Sequence, residues 1–358
     1  MKAVVSGGGT GGHIYPALAI AQRLRDDGVE VLYMGGEDSM EAKLAPASGF
    51  AFFGLRCAGL HRRSLVIVKD LFINAIGLHQ ARAHLKAFAP DVVIGTGGYG
   101  SAPVLKGAQS LGLPTVLHEQ NAFPGLANRT LARQARAVCL TFQAAADYFP
   151  HPERLHVTGL PIRAEILTVT REQARDYFQV PNDGKPVLLI TGGSQGAATL
   201  NNAAAAAAKT LLGQGVRMIL LCGKKEYFSR RQSLPDDPDL ILLPYLEHME
   251  YALALADLAV ARAGASFLAE ALVRGLPTIL VPYPYAANDH QRYNAKALVD
   301  QGAAVMVEDC QFTGNTLLEQ VVPILQNDSR RAEMGRRAKA LSIPDAGDRI
   351  VEIIYGMV

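Results

Sequence analysis

No stretch of this 358-residue chain reaches the roughly 18 to 20 uninterrupted apolar residues needed to cross a bilayer. Nor does the start, "MKAVVSGGG", show the basic region, apolar stretch and small-residue cleavage site of an export signal in series. It runs straight into a strand and a glycine turn, so the chain is expected to stay in the cytoplasm. Cysteine is sparse: Cys57, Cys139, Cys222 and Cys310 are scattered without a C-x-x-C pair, which suits reduced thiols better than disulfides or a metal site. An excess of one charge is also lacking. The net charge of +2 makes no case for nucleic acid. What is present is a composition 49% apolar and 19% charged, in a chain longer than a single core usually grows, so two domains are expected.

Short β-branched runs alternate with longer helical patterns, the sign of parallel sheet with crossover helices. The first half offers the strands "KAVVSG", "VEVLYMG", "DVVIGTGG", "PTVLHE" and "AVCLTF". The second offers "PVLLITGG", "RMILLCG", "LILLPYL", "LAVARAG" and "PTILVPYP". Between the sets lies "HPERLHVTGLPIRAEIL", rich in proline and charge, and the domain junction is placed there, near Pro161. Each half opens with a strand, a glycine turn and a helix. Two Rossmann-like domains facing a cleft follow, with ligands at the carboxyl ends of the strands.

The first turn, "VVSGGGTGGHIYPALAIA", fits the dinucleotide fingerprint formally through Gly7, Gly9 and Gly12, with Glu37 or Asp38 as the acid for a ribose. His13 stands where a small residue normally begins that helix, and no hydride-transfer site is evident elsewhere. No Gly-Lys-Ser/Thr follows, so a P-loop is excluded. Further glycine turns, "GTGGYGSAP", "TGGSQGA" and "RAGASFLAEAL", each end a strand. In the last of these, Gly264, Ala265 and Ser266 open a helix whose free amides can hold a diphosphate. Glu270, about one turn beyond Ser266, can accept two ribose hydroxyls. Taken alone it reads better as an ordinary surface glutamate on a helix. "PYPYAANDHQRYNA" adds Asp289, His290, Gln291 and Asn294 at the next strand end, the character of a nucleotide-sugar site.

Eight segments in order, "GGGTGGHIYPALAIA", "GTGGYGSAP", "HEQNAFPGLANR", "GLPIR", "GGSQGA", "RAGASFLAEAL", "PYPYAANDHQRYNA" and "SIPDAGDRI", make the chain resemble the MurG family of bacterial peptidoglycan glycosyltransferases. The resemblance spans almost the whole chain. It implies an α/β protein of the GT-B fold with domains 1–162 and 163–342, and a last helix, 343–358, crossing back to the first. It implies transfer of N-acetylglucosamine from UDP-GlcNAc to the C4 hydroxyl of the muramoyl sugar of lipid I, giving lipid II. Other GT-B chemistry, in a sugar-nucleotide epimerase or a glycolipid synthase, is the alternative. By the same resemblance Thr10, Gly11, Gly12, Asn121, Arg163, Ser194, Gln195, Ala265, Ser266, Phe267, Leu268, Ala269, Glu270 and Gln291 fall on donor-binding positions, and the main chain at Leu246 reads the uracil. Leu160 stands where the family more often has asparagine.

Inversion by direct displacement needs a base for the acceptor hydroxyl and compensation for the departing UDP. His13 is the candidate base, since an imidazole titrates near neutrality; binding a phosphate or sugar is the equal alternative, and Glu119 from "HEQN" is the reserve. "DPD" at 237–239 matches a metal-binding D-x-D pair formally but sits in "SLPDDPDL", a solvated turn. No metal and no cofactor are therefore expected. A lipid-linked acceptor implies contact with the cytoplasmic face of a membrane. "HRRSLVIVKDLFINAIGLHQARAHLKAF" supplies Leu71, Phe72, Ile73, Ile76 and Leu78 with Arg62, Arg63, Lys69, Arg82 and Lys86, a combination suited to anionic lipid. A helix packed on its own sheet is the competing reading.

Overall fold

The computed structural model describes residues 1–59 and 64–357, apart from the side chains of 64–68. The chain divides into two compact units, Met1–Ile162 with Ile343–Val358, and Arg163–Ser342.

The first unit holds seven parallel strands: β1 (Lys2–Ser6), β2 (Glu30–Gly36), β3 (Ala51–Leu55), β4 (Val92–Gly95), β5 (Thr115–Glu119), β6 (Ala137–Leu140) and β7 (Leu155–Val157). Their order is β3-β2-β1-β4-β5-β6-β7, so the chain reverses its direction of growth between β1 and β4. Both faces of the sheet are covered, which is why β4, β5 and β6 are buried at every position. Alternation along β1 divides the two cores. Ala3 and Val5 pack with Ile20 and Leu24 of the helix Gly11–Asp26, and with Ile350, Val351 and Ile354 of the last helix, Ala346–Tyr355. Val4 packs on the other face with Leu85, Val104 and Leu105. The last helix is held to the first by Arg23 donating to Asp348 at 2.6 Å and by the Tyr355 hydroxyl donating to Asp27 at 3.1 Å.

The second unit has six parallel strands: β8 (Val187–Thr191), β9 (Arg217–Leu221), β10 (Leu240–Leu243), β11 (Leu258–Ala261), β12 (Thr278–Leu280) and β13 (Ala304–Met306), in the order β10-β9-β8-β11-β12-β13. Its switch point lies between β8 and β11. The alanine run of the helix Ala198–Gly213 allows close packing against the helix Gly314–Leu325: a Cβ on Gly314 would stand 2.6 Å from that of Ala206.

All ten strands expected from the sequence are present, together with β3, β7 and β13, each at a sheet edge. All four cysteines are free, and burial pushes the Cys139 thiol up to about 12, which leaves it chemically quiet. Among the described residues no helix is long and apolar enough to cross a membrane.

Candidate functional site

In the first unit the switch point between β1 and β4 brings two glycine turns together. The Thr96 amide donates to the Ser6 carbonyl at 2.9 Å, the Gly8 amide to the Gly97 carbonyl at 3.3 Å, and the Thr96 hydroxyl to the His13 carbonyl at 2.7 Å. Gly7 has to be glycine, since a Cβ there would lie 2.0 Å from Thr96 Oγ1 and 2.8 Å from the His13 carbonyl oxygen. Thr10 is the N-cap of the helix Gly11–Asp26, but its side chain makes no capping bond. Thr10 and Gly12 are exposed, and Gly11 and His13 half-buried, beside amides that the helix leaves unpaired.

His13 is fixed from behind. Its Nδ1 lies 3.0 Å from the Thr96 carbonyl and 3.0 Å from Gln120 Oε1. Glu119 is placed differently from the reserve base expected of it. The side chain is 1% exposed. Oε1 accepts from the amide and side chain of Asn121 at 3.0 and 3.3 Å, and Oε2 from the Gly125 amide at 3.2 Å and Asn128 Nδ2 at 2.8 Å. A carboxylate with about four acceptor directions, all occupied and buried, has none left for a substrate hydroxyl. Glu119 instead pins the 120–128 loop, and with it Asn121.

Glu41 was not singled out by its sequence context. It is fully buried, and accepts from the Gly36 amide at 3.0 Å and the Gly9 amide at 3.2 Å. A carboxylate therefore occupies the amide that a dinucleotide pyrophosphate would need. Glu37 and Asp38, the acids considered for a ribose, are exposed at the end of β2.

In the second unit the turn after β8 presents Ser194 and Gln195 to solvent. It is drawn tight by Gly196, whose φ is +75° and whose Cβ would fall 2.1 Å from the Cys222 carbonyl oxygen. Across the switch point β11 leads into the helix Ala265–Arg274. Its N-cap is Gly264, without a capping side chain or an acid in the first turn, and it ends on Gly275 in the left-handed region. Its first amides are thus open to an anion. Ala265, Leu268 and Ala269 are buried, as is Leu246, so any ligand contact there falls to main chain. Ser266, Phe267 and Glu270 are partly open.

The Glu270 carboxyl is pushed up to about 7 by burial, against the pull of Arg163, and Glu250 adds to the rise. Glu250, unnoticed in the sequence, is 3% exposed. It meets Arg163 at 3.3 Å and His248 at 2.9 Å. A second buried carboxylate thus steadies Arg163 beside Glu270. In the "NDHQRYN" segment Gln291 Oε1 accepts from the Tyr283 amide at 2.9 Å, which orients the side chain. Asn294 is buried, with Nδ2 donating to the Ala263 carbonyl at 3.1 Å, and so serves packing. Asn288 and Asp289 take left-handed backbone, φ +54° and +57°, which these residue types tolerate. Leu160, the departure in "GLPIR", is 4% exposed and part of the core.

Asp239 of the "DPD" stretch is held by Arg217 at 2.7 Å and by Lys185, which hold its carboxyl below the ordinary range. It is an ion-pair partner at the amino end of the edge strand β10, whereas the open helix follows the carboxyl end of β11. Among the described residues no group of three or more His, Cys, Asp or Glu is placed to hold a metal ion.

The apolar basic segment forms the helix Ser64–Phe88. Leu71 and Phe72 are 55% and 68% exposed, with exposed Lys69, Arg82 and Lys86 along the same helix. Ile73, Ile76 and Leu78 are half-buried, and Ala81 and Leu85 enter the core against the helix Ala102–Ser110. The later part of the helix packs on its own unit, and the earlier part leaves Leu71 and Phe72 open. Arg62 and Arg63 lie outside the described residues.

Two Rossmann-like domains with an open helix N-terminus at a switch point and a carboxylate one turn on define a nucleotide-sugar enzyme. The chain belongs to glycosyltransferase family 28, whose N-terminal domain matches residues 3–140 and whose C-terminal domain matches residues 187–350. It is 43% identical to the UDP-N-acetylglucosamine--N-acetylmuramyl-(pentapeptide) pyrophosphoryl-undecaprenol N-acetylglucosamine transferase of Moorella thermoacetica, over 100% of this chain and 99% of that protein. Identity to the transferase of the same name from Desulforamulus reducens is 42%, over 99% and 98%. The structure is similar to crystalline Acinetobacter baumannii MurG, with a TM-score of 0.82 at 30% identity over 99% of each chain. The fold is GT-B.

Proposed function

We propose that this chain transfers N-acetylglucosamine from UDP-GlcNAc to the C4 hydroxyl of the N-acetylmuramoyl sugar of lipid I, with inversion, in peptidoglycan synthesis. The observation that carries this reading is the end-to-end likeness to transferases of that name. The second unit takes the donor: the amides at 264–266 meet the diphosphate, Glu270 the ribose, and the Leu246 main chain the uracil. In the first unit His13 accepts the acceptor's proton as the hydroxyl oxygen attacks the anomeric carbon. The bond to the β-phosphate oxygen breaks and UDP leaves with the electron pair. Helix amides and Arg163 offset its growing charge. Incubation with radiolabelled UDP-GlcNAc and a lipid I analogue should move the label into the lipid product; epimerisation or hydrolysis without transfer would overturn the assignment.

Because Asp239 of the one D-x-D match is held in ion pairs and Asp237 caps its amide, activity is expected to survive EDTA. Turnover lost on chelation and restored only by magnesium or manganese would contradict this.

The membrane is the proposed location of the acceptor, reached through the exposed end of the helix Ser64–Phe88. Leu71→Ser with Phe72→Ser should weaken binding to anionic vesicles, since two large apolar side chains leave the lipid. Activity on a short-chain soluble acceptor should stay near the parent's. Unchanged vesicle binding in a sedimentation assay would place the contact elsewhere.

A further inference from the structure

We propose that Gln120 is a positioning residue: its side-chain amide, set between the His13 and His118 rings, keeps the His13 proton on Nδ1 and leaves Nε2 to take the proton of the acceptor hydroxyl. The proposal rests on the reading of His13 as base. It assigns a role to a residue beside Glu119 and Asn121 that neither the glycine turns nor the donor contacts use.

Each link in this chain of hydrogen bonds has only one possible sense. The Gln120 Nε2 lies 3.1 Å from the His118 carbonyl and 3.0 Å from His118 Nδ1. A carbonyl oxygen can only accept, so the NH2 end of the amide faces His118 and Oε1 faces His13. The other side of the His118 ring is 2.9 Å from the Gly159 carbonyl, which requires the proton on Nε2 and a lone pair on Nδ1. The ring is fully buried, and that burial pushes its titration down to about 4. Near neutrality it therefore stays uncharged and keeps accepting from Gln120. At the near end, His13 Nδ1 faces two oxygens, those of Thr96 and Gln120, that can only accept. The nitrogen between them carries hydrogen.

The reaction uses this polarity. A neutral imidazole has one basic nitrogen, and the hydrogen bond made by the other decides which one it is. With Nδ1–H shared between the Thr96 carbonyl and Gln120 Oε1, the lone pair is on Nε2. As the acceptor O–H bond breaks, its proton goes to Nε2 and its electron pair into the new glycosidic bond. The resulting imidazolium keeps both Nδ1 contacts, now charge-assisted and stronger. The opposite tautomer would turn a lone pair toward two oxygens and an N–H toward the acceptor. Thr96 supplies a fixed main-chain acceptor; Gln120 ties the ring orientation to the buried His118 and, through it, to Gly159.

The test begins with the parent protein labelled with 15N-histidine. At a pH where His13 is neutral, its Nδ1 should carry the proton; a spectrum showing Nε2–H instead would overturn the proposal. Gln120→Leu keeps the volume but neither hydrogen bond. It should let the tautomers mix and lower kcat by about tenfold to a hundredfold, with the KM for UDP-GlcNAc and the affinity for UDP unchanged. Adding His13→Ala should make it no slower than His13→Ala alone, because both changes disable one unit. A parental kcat in Gln120→Leu, an unmoved tautomer, or losses that multiply in the double variant would each refute the role. If Gln120→Leu does not fold, Gln120→Asn, too short to reach both rings, is measured in the same way. Should His13→Ala by itself retain turnover, the base reading fails, and the spectra alone then judge the hold of Gln120 on the tautomer.

Discussion

His13→Ala is expected to lower kcat by about 10²- to 10⁴-fold, the usual worth of a positioned general base, while UDP binds as it does to the parent. The fold should tolerate the change. The His13 carbonyl accepts from the Thr96 hydroxyl at 2.7 Å, the Gly8 amide donates to the Gly97 carbonyl and the Thr96 amide to the Ser6 carbonyl, so these contacts between the two glycine turns survive, and the Nδ1 contacts to Thr96 and Gln120 go with the ring. Only the imidazole is lost. A side chain that merely gripped the donor would give the opposite pattern, with weakened UDP or UDP-GlcNAc binding and near-parental turnover at saturation. Donor titration beside single-turnover transfer separates the two. The second pattern would send the search for the base elsewhere in the first unit, though not to Glu119, whose oxygens already accept four hydrogen bonds.

Glu270→Ala should weaken UDP binding by roughly tenfold to a hundredfold, since a charged acceptor bonded to ribose hydroxyls is worth on the order of 1.5 to 3 kcal/mol per bond. UDP and UDP-GlcNAc should suffer alike. The preference for UDP over 2′,3′-dideoxy-UDP should nearly vanish, whereas Ser266→Ala, at the phosphate end of the same helix, should leave that preference intact. Calorimetric affinities equal to the parent's would make Glu270 a bystander.

The position of its carboxyl adds a pH signature. With an apparent pKa of about 7 in the folded protein, the group is partly protonated near neutrality, and two ribose donors require the carboxylate. UDP affinity in the parent should therefore fall as pH drops below about 7, and Glu270→Gln should flatten that dependence. Stability runs the other way. The folded value lies above the ordinary 4.5, so the folded chain binds this proton more tightly than the unfolded one. The contribution is fully present below about 4.5 and is lost as pH rises to about 7. Glu270→Gln should accordingly melt higher than the parent at pH 8 and near the parent at pH 4. Equal melting temperatures at pH 8 would mean that the carboxylate is not strained by its burial.

Ten of the thirteen strands, the repeated strand, glycine turn and helix, and the Rossmann-like class of both domains were determined by the sequence alone. Buried parallel strands must be continuously apolar, and a close main-chain approach must be glycine; both constraints write themselves into local composition. The three strands that escaped, β3, β7 and β13, are all edges. An edge strand is half-solvated and takes its partner from one side, so "AFFGL", "LHV" and "AVM" carry no pattern stronger than that of a loop. The placement of His13 and Glu270 in the opening turns of helices that follow strands, and the helix start at Ala265, were likewise legible, because position after a strand and spacing along a helix are local properties.

Tertiary structure alone decided what surrounds them. Glu41 and Glu250 look like helix-surface acids in the sequence and are buried, one under the first glycine turn and one beside Arg163. Glu119 became a loop holder only when Asn121, Gly125 and Asn128 closed over it. The tautomer of His13 is set by residues 83 and 107 positions away, and the rise in Glu270 by burial. Periodicity and turn chemistry encode which groups face a core or a strand end. Protonation, orientation and availability depend on the neighbours and solvent exclusion that exist only once distant segments have packed.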